Sequence, residues 1–190
     1  MSKLLVQYGA FVIMACPDQE NCDSVADKIK RQFPKSEESI VSRSLNFQEL
    51  ESIWNFTQYL KTNFERIDIT IINSFDEIKT EFQWESIYIG HFALTNWLLP
   101  LLQKPCSSSD LTCIKGARFV NFATPAAFIS GNLNCSLMKE ISGFKAHSQT
   151  PLLPQFTIFG RTESSGTANA QLASILFGIE LQRRVDVAAR

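Results

Sequence analysis

Short, largely apolar runs alternate along this chain with longer stretches of helical periodicity, and this alternation restricts the fold more than any single motif. Residues 10–16 (Ala-Phe-Val-Ile-Met-Ala-Cys), 67–73 (Ile-Asp-Ile-Thr-Ile-Ile-Asn) and 117–123 are of strand length. A strand that is apolar on both faces must be covered on both faces, as in a parallel sheet flanked by helices. Between these runs lie a polar-faced helical segment at 18–33 closed by Pro34, a weaker edge strand at 38–44, and helical segments at 47–64, 84–102 and 166–185. The order predicts an α/β fold with a doubly wound, mainly parallel sheet.

The helical segments carry their own expectations. In 47–64, Leu50, Ile53, Trp54 and Leu60 trace one face, and Asn46 followed by Glu49 has the form of a cap with its reciprocal acid. Segment 84–102 is apolar nearly all round, which predicts a buried helix that Pro100 bends or ends. In 166–185 the stripe Leu172, Ile175, Leu176 and Ile179 is expected to pack on the sheet, with Arg183 and Arg184 in the last turn complementing the helix dipole. Residues 106–116 and 125–166 are rich in Ser, Pro, Asn and Gly and read as loops, the longer holding short helical pieces or acting as a lid.

With 190 residues, 45% of them hydrophobic, and a net charge of −1, the chain reads as one globular domain spanning 1–190. The balanced charge, without a Lys/Arg run, argues against a nucleic-acid partner. No apolar run reaches the ~20 residues that span a bilayer, and the first residues lack a signal-peptide cleavage site, so a cytoplasmic protein is expected. Cys16, Cys22, Cys106, Cys113 and Cys135 form no C-x-x-C pair and are odd in number, which reads as free thiols. The sequons at Asn55 and Asn134 read as chance matches. His91 and His147 are the only histidines, so no metal constellation assembles and none is expected; His91 reads as a structural side chain.

Five segments, in order, resemble the short-chain dehydrogenase/reductase family, and its retinol dehydrogenase and WW-domain oxidoreductase branch in particular. They are Tyr8-Gly-Ala-Phe-Val-Ile-Met-Ala-Cys16, Ile67-Asp-Ile-Thr-Ile-Ile-Asn-Ser-Phe75, Ile87-Tyr-Ile-Gly-His-Phe-Ala-Leu-Thr-Asn96, Arg118-Phe-Val-Asn-Phe-Ala-Thr124, and the final helical segment with its Leu-Ala-x-Ile-Leu-Phe-x-x-Glu-Leu-x-Arg-Arg pattern. The resemblance implies a Rossmann-like sheet with cofactor at the carboxyl ends of the strands. It places the family's catalytic Ser, Tyr and Lys on Thr124, Thr167 and Gln171, and its relay Asn on Ile87.

Those replacements remove chemistry. An aliphatic hydroxyl at 167 is a far poorer acid than a phenol and sits on a shorter side chain, Gln171 carries no charge, and Ile87 offers no hydrogen bond. On the cofactor side, Asn46 takes the place of an adenine-contacting Asp, with a helix N-cap as its plainer reading, and Asn73 stands in the Asn-Asn-Ala-Gly position, followed by a Phe75 that would crowd the cofactor. The family's first strand and Gly-rich turn have no counterpart, which would leave two strand edges to be paired in some other way. The resemblance thus supports a catalytically degenerate module that binds no cofactor. On the same resemblance it is expected to pair with a second copy through the 84–102 and 167–184 helices or with another protein. The alternative is an NAD(P)-dependent oxidoreductase of a lipophilic alcohol or carbonyl, of retinoid or steroid type, in a longer form of the protein.

Overall fold

The computed structural model describes residues 1–73, 85–104, 116–129, 155–158 and 161–188. It divides into two compact units, Met1–Leu60 and Lys61–Arg190, with the boundary in the last turn of a helix.

In the first unit, α1 (Ser2–Gln7) stops at Gly9, which adopts φ +84°. Gly9 donates its N–H to Val6 and Ala10 donates to Leu5, two bonds that satisfy carbonyls the helix end would otherwise orphan. A side chain at Gly9 would meet no neighbour, so backbone conformation alone favours glycine there. The chain then extends into β1 (Val12–Cys16), and α2 (Gln19–Gln32) follows. Asp18 caps α2 by accepting from the N–H groups of Glu20 and Asn21, and its second oxygen accepts from the Asn21 side chain at 2.6 Å. Pro34 ends α2 as expected and opens a 3₁₀ turn, Pro34–Ser39. This turn delays β2 (Ile40–Ser44) two residues beyond its predicted start.

β1 and β2 pair in parallel, from Val12 opposite Ile40 to Cys16 opposite Ser44. Val6, Val12, Ala26, Ile29 and Ile40 form one buried cluster over this ladder, so α1 and α2 dock on it through apolar residues. The Asp23 carboxylate also accepts a hydrogen bond from Ser42, tying α2 to β2. One expectation fails here: Cys16 and Cys22 are not free thiols but are joined in a disulfide. The polypeptide folds the end of β1 back against the first turn of α2, which brings together two cysteines with no motif to announce them.

α3 (Leu50–Asn63) begins later than the 47–64 segment. Asn46 is not its cap but opens the preceding turn: its Oδ1 accepts from Gln48 N–H, its carbonyl from Glu49 N–H, and its Nδ2 donates to the Glu49 carboxylate. The buried face is Ile53, Phe56, Thr57 and Leu60, while Leu50 and Trp54 are exposed. The helix is thus rotated from its predicted setting, because Thr57 can be buried once its hydroxyl donates to the Trp54 carbonyl.

In the second unit, β3 (Ile69–Ile72) and β4 (Arg118–Asn121) pair in parallel, Ile69 opposite Arg118 and Ile72 opposite Asn121. A π-helical turn, Glu85–Gly90, leads into α4 (His91–Leu102). The expectation of a helix buried all round is corrected: Leu94, Thr95, Leu98 and Leu101 are buried, but Phe92, Asn96 and Pro100 are exposed. Pro100 does not end the helix, since the carbonyl it leaves without a donor belongs to Asn96, on the exposed side. Beyond the strand expected to be the last, α5 (Ala126–Ile129) and an antiparallel pair, β5 (Gln155–Ile158) and β6 (Arg161–Ser164), occupy parts of the segment read as loop. Phe75, Trp84, Cys106, Cys113, Asn134, Cys135 and His147 lie outside the described residues.

The last helix, α6 (Ser165–Ala188), reverses its predicted setting. Ala168, Asn169, Ala170, Gln171, Ala173 and Ser174 are buried, whereas Leu176 and Ile179 are 44% and 62% exposed. It also runs past Val185, so Arg183 and Arg184 do not lie in the last turn; both donate to the Glu180 carboxylate. Among the described residues no helix is long and apolar enough to cross a membrane.

Candidate active site

β4 and the first turns of α6 bring together two residues of the predicted catalytic set. Thr124, three residues beyond β4, directs both its N–H and its hydroxyl at the Oε1 of Gln171, at 2.9 and 2.7 Å. Gln171 is 3% exposed, so the amide is held out of water and its oxygen is satisfied by two donors. One helical turn further on, Ser174 accepts from the Asn121 side chain at 2.6 Å. Two side-chain bonds therefore fasten α6 to β4, and their helical partners are spaced i, i+3 on a single face.

Thr167 falls in the first turn of α6, four residues before Gln171. Ile87 is buried in the π-helical turn and packs against Ala170 and Ala173, with Tyr88 and Ile89 alongside. Small residues on α6 are what let this turn approach. The helix thus meets an apolar contact at Ala170 and Ala173 and a hydrogen-bonded partner at Gln171. Threonine's hydroxyl and glutamine's amide do not exchange protons near neutral pH, so the pair fixes geometry and carries no acid–base chemistry.

The predicted cofactor contacts have surroundings of their own. Asn73 is exposed just past β3, and Asn46 is committed to its own turn in the first unit. Near that turn an open groove of about 470 Å³ is lined by Arg43, Ser44, Glu49, Asn55 and Tyr59, among others, with the Arg43 guanidinium 4.2 Å over the Tyr59 ring. The donors at the N-terminus of α2 are taken by the Asp18 carboxylate, with Glu20 beside it. His91 is buried, and desolvation pushes its pKa down to about 4, so it is neutral at physiological pH. Among the described residues no three potential ligands are placed to hold a metal.

Sequence reasoning missed Asn121 and Ser174. The readable signal was the run of small and polar residues in α6, Ala170, Gln171, Ala173 and Ser174, which marks a close helix–strand contact more directly than the leucines do.

No family model matches the chain. It is 31% identical over 112 residues to human retinol dehydrogenase 13, a match covering 55% of this chain and 33% of that protein. It is 24% identical over 191 residues to the short chain dehydrogenase/reductase dpchH of Colletotrichum higginsianum, covering 96% and 45%. Among solved structures, RhlG of Pseudomonas aeruginosa in its NADP active-site complex superposes with a TM-score of 0.64 at 16% identity, over 96% of this chain and 59% of that one. The fold is therefore the Rossmann-like α/β arrangement of these enzymes. In sequence the chain is similar to short-chain dehydrogenase/reductases, retinol dehydrogenases among them. It spans less than half the length of the curated relatives it matches.

Proposed function

We propose that this chain is a redox-inactive member of its family that works as an interaction module. The observation that carries the reading is the Gln171–Thr124 bond: the two positions that would orient a carbonyl and charge the site instead satisfy each other. Asp18 supports it, because its carboxylate holds the α2 donors that a cofactor phosphate would need and repels that phosphate. Among the described residues, this arrangement does not fit NAD or NADP. Fluorescence titration of the full chain with NADH and NADPH is the test: no saturable binding is expected, and low-micromolar binding would overturn the reading.

The partner side of the proposal rests on α4 and α6. Phe92, Leu176 and Ile179 are exposed, and Phe92 meets Phe177 edge to face at 5.0 Å, so the two helices share one apolar surface. A second copy is its proposed occupant. Sedimentation equilibrium should show a dimer that Ile179→Glu dissociates; a monomer at high concentration would remove a homodimer and leave a different protein partner.

A second reading is favoured by the names of the curated relatives and by their greater length. In it, a longer form of the protein is an NAD(P)-dependent oxidoreductase of a retinoid-like or steroid-like alcohol or carbonyl. Intact-mass measurement of the native protein, followed by a turnover assay on whatever form is found, separates the two.

A further inference from the structure

We infer that Cys16 and Cys22 form a reversible thiol–disulfide site that exchanges with small thiols of the glutathione class. The bond joins the last residue of β1 to the first turns of α2, across the short segment 17–21. The two sulfurs differ in a way that sets the direction of attack. Cys22 is 1% exposed, whereas Cys16 is only partly buried, and Pro17, Asp18, Glu20 and Asn21 between them are exposed. An incoming thiolate therefore reaches the Cys16 sulfur.

The exchange balances without any other reactant. A glutathione thiolate attacks Cys16 Sγ, the Cys16–Cys22 bond breaks, and the electron pair leaves on Cys22 Sγ, which takes up a proton. A second glutathione thiolate then attacks the mixed disulfide, releasing Cys16 as a thiol and glutathione disulfide as product. The protein is reduced by two electrons and two glutathiones are oxidised. The reverse sequence closes the bond.

The reduced state has a place to go. Cys22 Sγ lies 3.7 Å from the Met14 carbonyl, an acceptor for the thiol hydrogen that appears on reduction. The surroundings have ties that do not involve the sulfurs, since Asp18 caps α2 and Asp23 accepts from Ser42. Reduction thus unlocks the 17–21 turn without dismantling the unit beneath it, and the site is a switch in the rigidity of that turn.

The test equilibrates the full chain in buffers of graded glutathione to glutathione disulfide ratio, traps thiols with an alkylating reagent, and maps Cys16 and Cys22 by peptide mass. A Cys16–Cys22 linkage that titrates within the ratios used is expected, with amide exchange at Glu20 to Cys22 about tenfold faster in the reduced form. Cys22→Ser should collect glutathione at Cys16, and Cys16→Ser should collect little at Cys22. Three results would overturn the inference: both cysteines alkylated at every ratio, a linkage that resists the most reducing buffer, or equal labelling of the two single variants.

Discussion

The β1–β2 ladder and the β4–α6 seam are both closely packed, and they are held by opposite means. Over the first ladder the buried residues are aliphatic, Val6, Val12, Ala26, Ile29 and Ile40, and the helices dock through their most hydrophobic faces. At the seam the buried part of α6 is alanine, asparagine, glutamine and serine, while Leu176 and Ile179 point away. Burial there follows side-chain size and hydrogen-bond complementarity rather than hydrophobicity. Small inward residues let the helix come close, and the polar ones among them take part in hydrogen bonds with the strand and the residues just past it.

The largest expected effect tests the first half of that contrast. Ile40→Ala should cost about 2–5 kcal/mol in denaturant unfolding, since it removes volume from the middle of an aliphatic cluster. A cost below about 1 kcal/mol would show that the cluster relaxes freely and would weaken the comparison.

Next comes acid sensitivity in the second unit. His91 is buried and neutral, with its pKa pushed from 6.5 to about 4 by desolvation. Above the unfolded-state value it is neutral in both states and costs nothing. As pH falls from about 6.5 toward 4 only the unfolded chain takes up the proton, so stability should drop by about 3 kcal/mol across that window. His91→Gln should flatten the pH dependence between those limits. An unchanged slope in that variant would mean that His91 is reached by water.

The seam itself is tested by Gln171→Leu, which keeps the bulk and strips Thr124 of the oxygen shared by its N–H and hydroxyl. The expected cost is about 1–3 kcal/mol. A double-mutant cycle with Thr124→Val should give a coupling of at least about 0.5 kcal/mol, whereas additive losses would mean that the seam is held by packing alone.

How much of this was readable follows the same division. The strand runs were plain because apolar residues crowd into segments of strand length bounded by polar ones, and α2 was bounded by Asp18 and Pro34, whose side chains act on their immediate neighbours. The faces of α3 and α6 were misjudged because hydrophobicity was taken as the measure of burial. In both helices a polar residue, Thr57 or Gln171, is buried by a bond that sequence periodicity does not register. The positions that the resemblance assigns to the family's Ser and Lys were legible one at a time. Their bond to each other, across 47 residues of chain, was not, because it depends on the tertiary approach of α6 to the end of β4. The disulfide was hidden for a similar reason: its two cysteines meet through a strand-to-helix turn rather than through a motif.

The smallest expected effect lies where α6 has left the seam. Glu180 accepts from Arg183 and then from Arg184, and these bonds, with the two positive charges, hold its pKa down at about 2. The folded value lies below the unfolded one, so the stabilisation is complete above about 4.5 and is lost as pH falls toward 2. All three side chains are solvent-exposed to a large degree, so salt should screen the pair and its loss should fray the end of the helix without unfolding the unit. Amide exchange of residues 180–188 should therefore quicken at low pH and at high salt, and Glu180→Gln should abolish both dependences while leaving exchange at Ala170 and Gln171 unchanged. Were the seam amides to respond as well, the exposed end and the buried start of α6 would form one cooperative element, and the contrast between apolar and polar packing would have to include the whole helix.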